Sequence, residues 1–298
     1  MAQALFVGSG VALVAPFAGK GVDEEVLREL VRFHLREGTD ALVVNGSTGE
    51  AATMSAEEQR HAIEVVVEET QSRIPVIAGV GGSDTAAVVR LARQARGAGA
   101  DALLLAPPPY NKPTQQGMLA HFRAVLDAAD LPLIAYNVPG RTACNLLPET
   151  LEQLADDPRL AGVKEASGDL SQVAELARRL GERVPIYSGN DDQILPVLSL
   201  GGQGVISVLA NVAPADTARI VHRYLEGEFA AARALQLRYL PLIHALFREP
   251  NPVAVKAAVR MLGFGAGDPR LPLLPASAET REALRSAIRD VGIELRED

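Results

Sequence analysis

The sequence predicts an α/β fold, a (β/α)8 TIM barrel with a helical C-terminal extension. Short β-rich apolar runs alternate with longer amphipathic stretches almost to residue 226, and eight such pairs follow one another. Eight strands, each followed by a helix, is the pattern of a closed parallel barrel. The runs are also continuously apolar rather than strictly alternating, which suits strands buried on both faces. A doubly wound open sheet is the competing arrangement, but it seldom needs eight such even units.

The predicted strands are residues 11–16, 41–45, 75–80, 102–106, 131–136, 161–164, 184–188 and 204–209. The helical patterns between them cover 23–37, 55–72, 85–97, 115–129, 148–156, 170–180, 193–200 and 214–226. Ser55 precedes Glu57 and Glu58, an N-cap with acidic groups at the positive end of a helix. Pro148 and Pro214 stand where a first turn accepts a missing N–H. Gly38, Gly97 and Gly181 are expected as C-terminal caps. Three further helices are expected at 229–247, 252–262 and 280–291, broken by the Gly- and Pro-rich stretch 263–275. Residues 1–226 therefore read as the barrel. Residues 227–298 read as an extension packed on it, not a second folding unit.

The chain has 298 residues, 48% hydrophobic, with a formal net charge of -8 and no basic stripe, which argues against a nucleic-acid partner. The first ten residues lack a basic segment followed by a long apolar core, so no signal peptide is expected. No apolar run approaches the roughly 20 residues of a membrane span, and a cytoplasmic protein with no membrane partner fits best. The single cysteine, Cys144, allows no intramolecular disulfide and reads as a small apolar residue near a barrel rim. His34, His61, His121, His222 and His244 all fall in helical stretches, without a metal-ligand spacing. Asp191 and Asp192 point to opposite sides of a strand end, so neither a metal nor a cofactor is expected.

In a barrel enzyme the chemistry sits at the C-terminal strand ends. Lys164 is the strongest candidate there. Period-two alternation puts Gly162, Lys164 and Ala166 on one face, leaving free space around an inward amine. Desolvation lowers a lysine pKa, and a neutral amine is what attack on a ketone requires. The alternative is a structural lysine paired with Glu50 or Glu165. Tyr136, on the adjacent strand, serves either as a proton relay or as a core aromatic with a backbone acceptor. Ser47 and Thr48 lie between Gly46 and Gly49, where backbone N–H groups can approach an anion. The same residues could simply form a capped turn before the Ser55 helix. Arg141 could hold a substrate carboxylate in a bidentate fork or pair on the rim. Tyr110 follows the fourth strand, and Gly189, at the exit of the seventh, counts as a substrate-binding candidate.

Taken together, these segments resemble the dihydrodipicolinate synthase and N-acetylneuraminate lyase superfamily, and within it the synthase branch. The likeness runs from Gly-Ser-Gly-Val-Ala-Leu-Val-Ala-Pro-Phe (8–17) through Tyr-Asn-Val-Pro-Gly-Arg-Thr (136–142) and Gly-Val-Lys-Glu-Ala-Ser-Gly (162–168). It continues through Gly-Val-Ile-Ser-Val (204–208) and Glu-Pro-Asn-Pro-Val-Ala-Val-Lys (249–256). The resemblance implies that Lys164 condenses with pyruvate and that the resulting enamine attacks aspartate 4-semialdehyde. It further implies a proton relay of Tyr136, Ser47 and Tyr110, the last reaching in from a neighbouring subunit. Thr48 and nearby amides would hold the pyruvate carboxylate, Arg141 would steer the semialdehyde carboxylate, and backbone around Ile206 would line the pocket. A homotetramer of tight dimers goes with the family.

The chain departs from the family pattern twice. Ser47 stands where the synthases usually carry threonine, as in neuraminate lyases, yet Arg141 is a residue that sugar-acid lyases generally lack. The synthase reading ranks first. Other pyruvate-dependent aldolases, of the neuraminate, keto-deoxy-gluconate or hydroxy-oxoglutarate type, rank second, and a non-catalytic carboxylate-binding barrel third. The positions matching the lysine-inhibition pocket are Ala56, Gln59, Ser83, Ala87 and Pro109, none acidic, so feedback inhibition by lysine is expected to be weak or absent.

Overall fold

Eight parallel strands close on themselves in the computed structural model, which describes residues 4–19 and 21–296. They are β1 (Gly8–Ala12), β2 (Ala41–Val44), β3 (Val76–Val80), β4 (Ala102–Leu105), β5 (Leu133–Asn137), β6 (Leu160–Glu165), β7 (Ile186–Ser188) and β8 (Gly204–Ser207). Each pairs with its neighbours in sequence, and β1 pairs with both β2 and β8 to complete the ring. One helix follows each strand: α1 (Glu24–Arg36), α2 (Ala56–Thr70), α3 (Thr85–Gly97), α4 (Gln115–Ala129), α5 (Pro148–Leu154), α6 (Leu170–Leu180), α7 (Ile194–Ser199) and α8 (Pro214–Leu225). A single helical turn, Pro139–Thr142, is inserted after β5, and a small hairpin (Phe17–Ala18 with Gly21–Val22) after β1.

The continuous apolar runs resolve into two alternating faces. Ala41, Val43, Ile77, Ala102, Leu104, Ile134, Tyr136, Tyr187 and Ile206 cluster together inside the barrel. Their neighbours Leu42, Val44, Val76, Ala78, Leu103, Leu105, Leu133, Ala135 and Val163 join the larger core shared with the helices. Such a barrel interior is packed rather than hollow. Its packing includes a ring stack, Phe6 on Tyr187 with centroids 4.4 Å apart, and the Tyr187 hydroxyl donates to the Phe6 carbonyl at 2.8 Å. That stack corrects one expectation. A Cβ on Gly162 would lie 2.8 Å from the Tyr187 ring, so the space beside Gly162 is filled, not open.

Other differences are local. β1 begins at Gly8 and ends at Ala12, earlier than the run 11–16 suggests, because beyond it Val14 N–H turns to the Asn211 side chain (3.0 Å). β7 starts only at Ile186, since Pro185 has no N–H and Val184 N–H closes the preceding helix on Leu180 O (2.8 Å). Ser55 forms a full capping box with Glu58, and Pro148 and Pro214 open their helices. Gly38 takes the left-handed conformation expected of a C-terminal cap (φ 77). Gly97 lies inside α3 and Gly99 (φ 89) takes the left-handed place, while Gly181 is right-handed (φ -56).

Helices α9 (Phe229–Leu246), α10 (Val253–Met261) and α11 (Ala278–Asp290) make up the C-terminal segment. α9 packs on α8 and α11. Tyr239, Leu242, Val255, Val259, Leu284 and Ile288 share one buried cluster with barrel residues such as Val11 and Leu13. Among the described residues no helix is long and apolar enough to cross a membrane.

Candidate active site

The parallel register sets Lys164 between two tyrosines, opposite Tyr136 on β5 and Tyr187 on β7. Residues level with one another in a parallel pair face the same way, so all three project into the barrel. The Lys164 Nζ lies 4.3 Å from the centre of the Tyr136 ring. Both side chains are buried, at 5% and 9% exposure. Gly189, one residue past β7, is part of the same wall. A Cβ there would come within 3.1 Å of Lys164 Cε and 2.7 Å of Ala166 Cβ, so only a hydrogen leaves room beside the amine stem.

Neither carboxylate considered as a structural partner neutralises Lys164. Glu50 Oε1 accepts from Lys256 Nζ at 2.8 Å, in a pair with both side chains about fully buried. Glu165 accepts from Ser167 N–H (2.6 Å), from the Asn137 amide (3.1 and 3.2 Å) and from Gln172 (3.3 Å). Among the described residues Lys164 makes no ion pair. Burial therefore pushes its amine down to about 7, against the pull of the buried Asp191 carboxylate and with a push from Arg141. Asp191 is itself held by Ser207 Oγ (2.5 Å), Val208 N–H (3.0 Å) and Leu209 N–H (2.8 Å), and burial raises its pKa. Burial pushes the Tyr136 phenol up to about 12, so it keeps its proton at neutral pH.

The turn after β2 is wound tightly. Asn45 (φ 58) and Glu50 (φ 52) both adopt left-handed backbone, and Glu50 N–H closes on Ser47 O at 3.2 Å. Gly79 on β3 admits this turn, since a Cβ there would lie 2.2 Å from Asn45 O. Glu50 anchors its far end, bound by Lys256 and by Arg270 N–H at 2.8 Å. Thr48 is buried, and its Oγ1 accepts from Asn251 Nδ2 at 2.9 Å; Ser47 is exposed. Arg141 lies exposed on the single-turn helix, and its Nη2 donates to the Asn251 carbonyl at 3.2 Å. Ile206 is fully buried in β8. Cys144 is buried, with its Sγ 3.9 Å from Pro108 O.

The fold thus brings Lys164, Tyr136 and Gly189 together at the C-terminal ends of β5 to β7. Tyr110 stands apart, 89% exposed with φ 70. Sequence reasoning missed Asn251, Lys256 and Tyr187, and weighed Asp191 only as a metal ligand. Tyr187 was within reach of the period-two rule, two residues before Gly189. Asn251 offered only a polar residue between two prolines.

Residues 5–291 match the Dihydrodipicolinate synthetase family. The chain belongs to that family. A 4-hydroxy-tetrahydrodipicolinate synthase from Caldicellulosiruptor bescii is 51% identical over 296 residues, 99% of this chain and 100% of that protein. Among solved structures, a dihydrodipicolinate synthase from Acinetobacter baumannii complexed with pyruvate superimposes with a TM-score of 0.93 at 40% identity, covering 96% of this chain and 99% of that one. A monomeric dihydrodipicolinate synthase variant superimposes with a TM-score of 0.95 at 38% identity, covering 97% and 98%. Membership makes the chain an enzyme, a lyase of the class I aldolase type on a TIM barrel.

Proposed function

We propose that the chain condenses pyruvate with L-aspartate 4-semialdehyde through a Schiff base on Lys164, forming 4-hydroxy-tetrahydrodipicolinate in lysine and diaminopimelate biosynthesis. The observation that carries this reading is the buried Lys164 amine, held near neutrality without an ion-pair partner beside Tyr136. The amine adds to the ketone carbon of pyruvate, and loss of water gives the imine. Removal of a methyl proton gives the enamine, whose carbon attacks the aldehyde. The semialdehyde's own amine then displaces Lys164 and closes the ring, returning the lysine free. Tyr136, Ser47 and Tyr110 carry the protons of these steps. Thr48 and the amides of the 46–49 turn hold the pyruvate carboxylate, Arg141 receives that of the semialdehyde, and Gly189 with the backbone at Ile206 lines the pocket. No step calls for a cofactor.

Tyr110 can serve only if it enters another copy's pocket, because it stands out from its own. That exposure fits a tight dimer, and we propose a homotetramer built from such dimers, working in the cytoplasm. The described part of the C-terminal extension belongs to the same catalytic unit as the barrel, since their apolar faces share one core.

Substrate choice tests the assignment directly. Pyruvate-dependent consumption of aspartate semialdehyde is expected to outpace cleavage of N-acetylneuraminate and of keto-deoxy-gluconate by on the order of 10³-fold or more, because Arg141 fits a small carboxylate. Faster cleavage of either sugar acid would move the chain to the lyase branch, the outcome that Ser47 favours. A second expectation concerns control. Ala56, Gln59, Ser83, Ala87 and Pro109 supply neither a carboxylate nor an aromatic face for a cationic amino acid. Steady-state rates should stay unchanged in millimolar lysine, and inhibition at submillimolar lysine would refute this.

A further inference from the structure

Asn251 lies in the loop between α9 and α10, 203 residues from Thr48 in sequence, and touches both groups assigned to substrate carboxylates. Its Nδ2 donates to Thr48 Oγ1 at 2.9 Å, with both residues buried. Its backbone carbonyl accepts from Arg141 Nη2 at 3.2 Å. A threonine hydroxyl has a single hydrogen to give. With the amide donating to its oxygen, that hydrogen is free for another acceptor. Among the described residues the Thr48 hydroxyl donates to none. The Asn251 Oδ1 is also buried and unpaired among those residues.

We propose that Asn251 is a positioning residue that presents the Thr48 hydroxyl as a donor to the carboxylate of pyruvate and so sets affinity for that substrate. This rests on the reading of Lys164 and Thr48 given above. Asn251 itself does no chemistry. Its side chain acts through Thr48, whereas only its backbone meets Arg141, so replacing the side chain affects pyruvate and spares the semialdehyde.

The test measures the pyruvate concentration giving half-maximal borohydride-trapped adduct, alongside kcat, the KM for semialdehyde and thermal melting. Asn251→Ala should raise half-saturation roughly 10- to 100-fold, the loss of one hydrogen bond to a charged acceptor. The kcat at saturating pyruvate and the KM for semialdehyde should stay within about twofold of native. In a Thr48→Val background the same change should add nothing, because the group it acts through is gone. Asn251→Asp keeps the shape of the side chain, which guards against simple misfolding. Its carboxylate would accept the Thr48 hydrogen and repel the substrate, so it should bind pyruvate more weakly than Asn251→Ala. The proposal is overturned by multiplying effects in the double variant, by a kcat loss at unchanged half-saturation, or by Asn251→Asp binding as well as Asn251→Ala. If native protein traps no adduct, the reading of Lys164 fails and this inference with it. Native trapping with unaltered half-saturation in the Asn251 variants removes the inference alone.

Discussion

Lys164→Ala is expected to abolish the borohydride-trapped pyruvate adduct and to lower kcat by on the order of 10⁴-fold or more, the scale of loss when a covalent nucleophile is deleted. Intact mass after reduction with pyruvate present reads the first effect, since native chain gains a single adduct and the variant none. The pH dependence is part of the same prediction. Burial lowers the amine from an ordinary 10.5 to about 7, so the neutral fraction climbs as pH rises through about 7 and then levels off. Initial trapping rates at low pyruvate should follow that curve. Rates still climbing steeply toward 10.5 would mean that the amine behaves as an ordinary lysine.

Stability should depend on pH through the same group. Between 7 and 10.5 the unfolded chain binds the lysine proton and the folded chain does not, so native stability rises with pH across that window. Below about 7 both states are protonated and the cost of burying the charge is carried in full. Lys164→Met, which removes the charge and keeps the bulk, should therefore melt higher than native, with the largest gain below that pH. A variant that is inactive yet more stable separates catalysis from folding.

Tyr136→Phe should lower kcat by about 10²- to 10⁴-fold, the usual contribution of a positioned proton donor. The ring remains, so Lys164 keeps its neighbour at the strand register and the pyruvate adduct still forms at equilibrium, though slowly. The phenol is pushed up to about 12 and stays protonated through the assay range, so in this reading it acts first as a proton donor. Stability should barely change, since the hydroxyl has no hydrogen-bond partner among the described residues. Single-turnover rates of adduct formation would decide the matter, and a kcat within about threefold of native would remove Tyr136 from the relay.

Much of this was legible in the chain because barrel strands and helices are locally encoded. Apolar run length, Ser55 with Glu58, and the prolines at 148 and 214 each speak within a few residues. Lys164 was legible for the same reason, since a charged residue inside an apolar strand conflicts with its surroundings. One glycine was misjudged: Gly97 is the last residue of α3 and Gly99 turns left-handed, whereas Gly181 caps α6 as expected, because composition marks a helix end without saying which glycine turns. The supports of the pocket were hidden for a different reason. Asn251 meets Thr48, and Lys256 meets Glu50, across about two-thirds of the chain, with separations of 203 and 206 residues. No local pattern records such contacts. Tyr187 closes on Gly162 only once the barrel has curled, so a strand read alone shows space where the fold has none.

The Glu50–Lys256 tie has a consequence for the order in which the molecule is born. Synthesis runs from the N-terminus, so all eight strands leave the ribosome before Asn251, Lys256 and Arg270 exist. Until then the Glu50 carboxylate lacks the ammonium and amide that bind it in the finished fold. The unfinished chain thus carries Lys164 but lacks the groups that brace the 46–49 turn. Bracing of that turn therefore waits for residues 251–270, close to the end of translation.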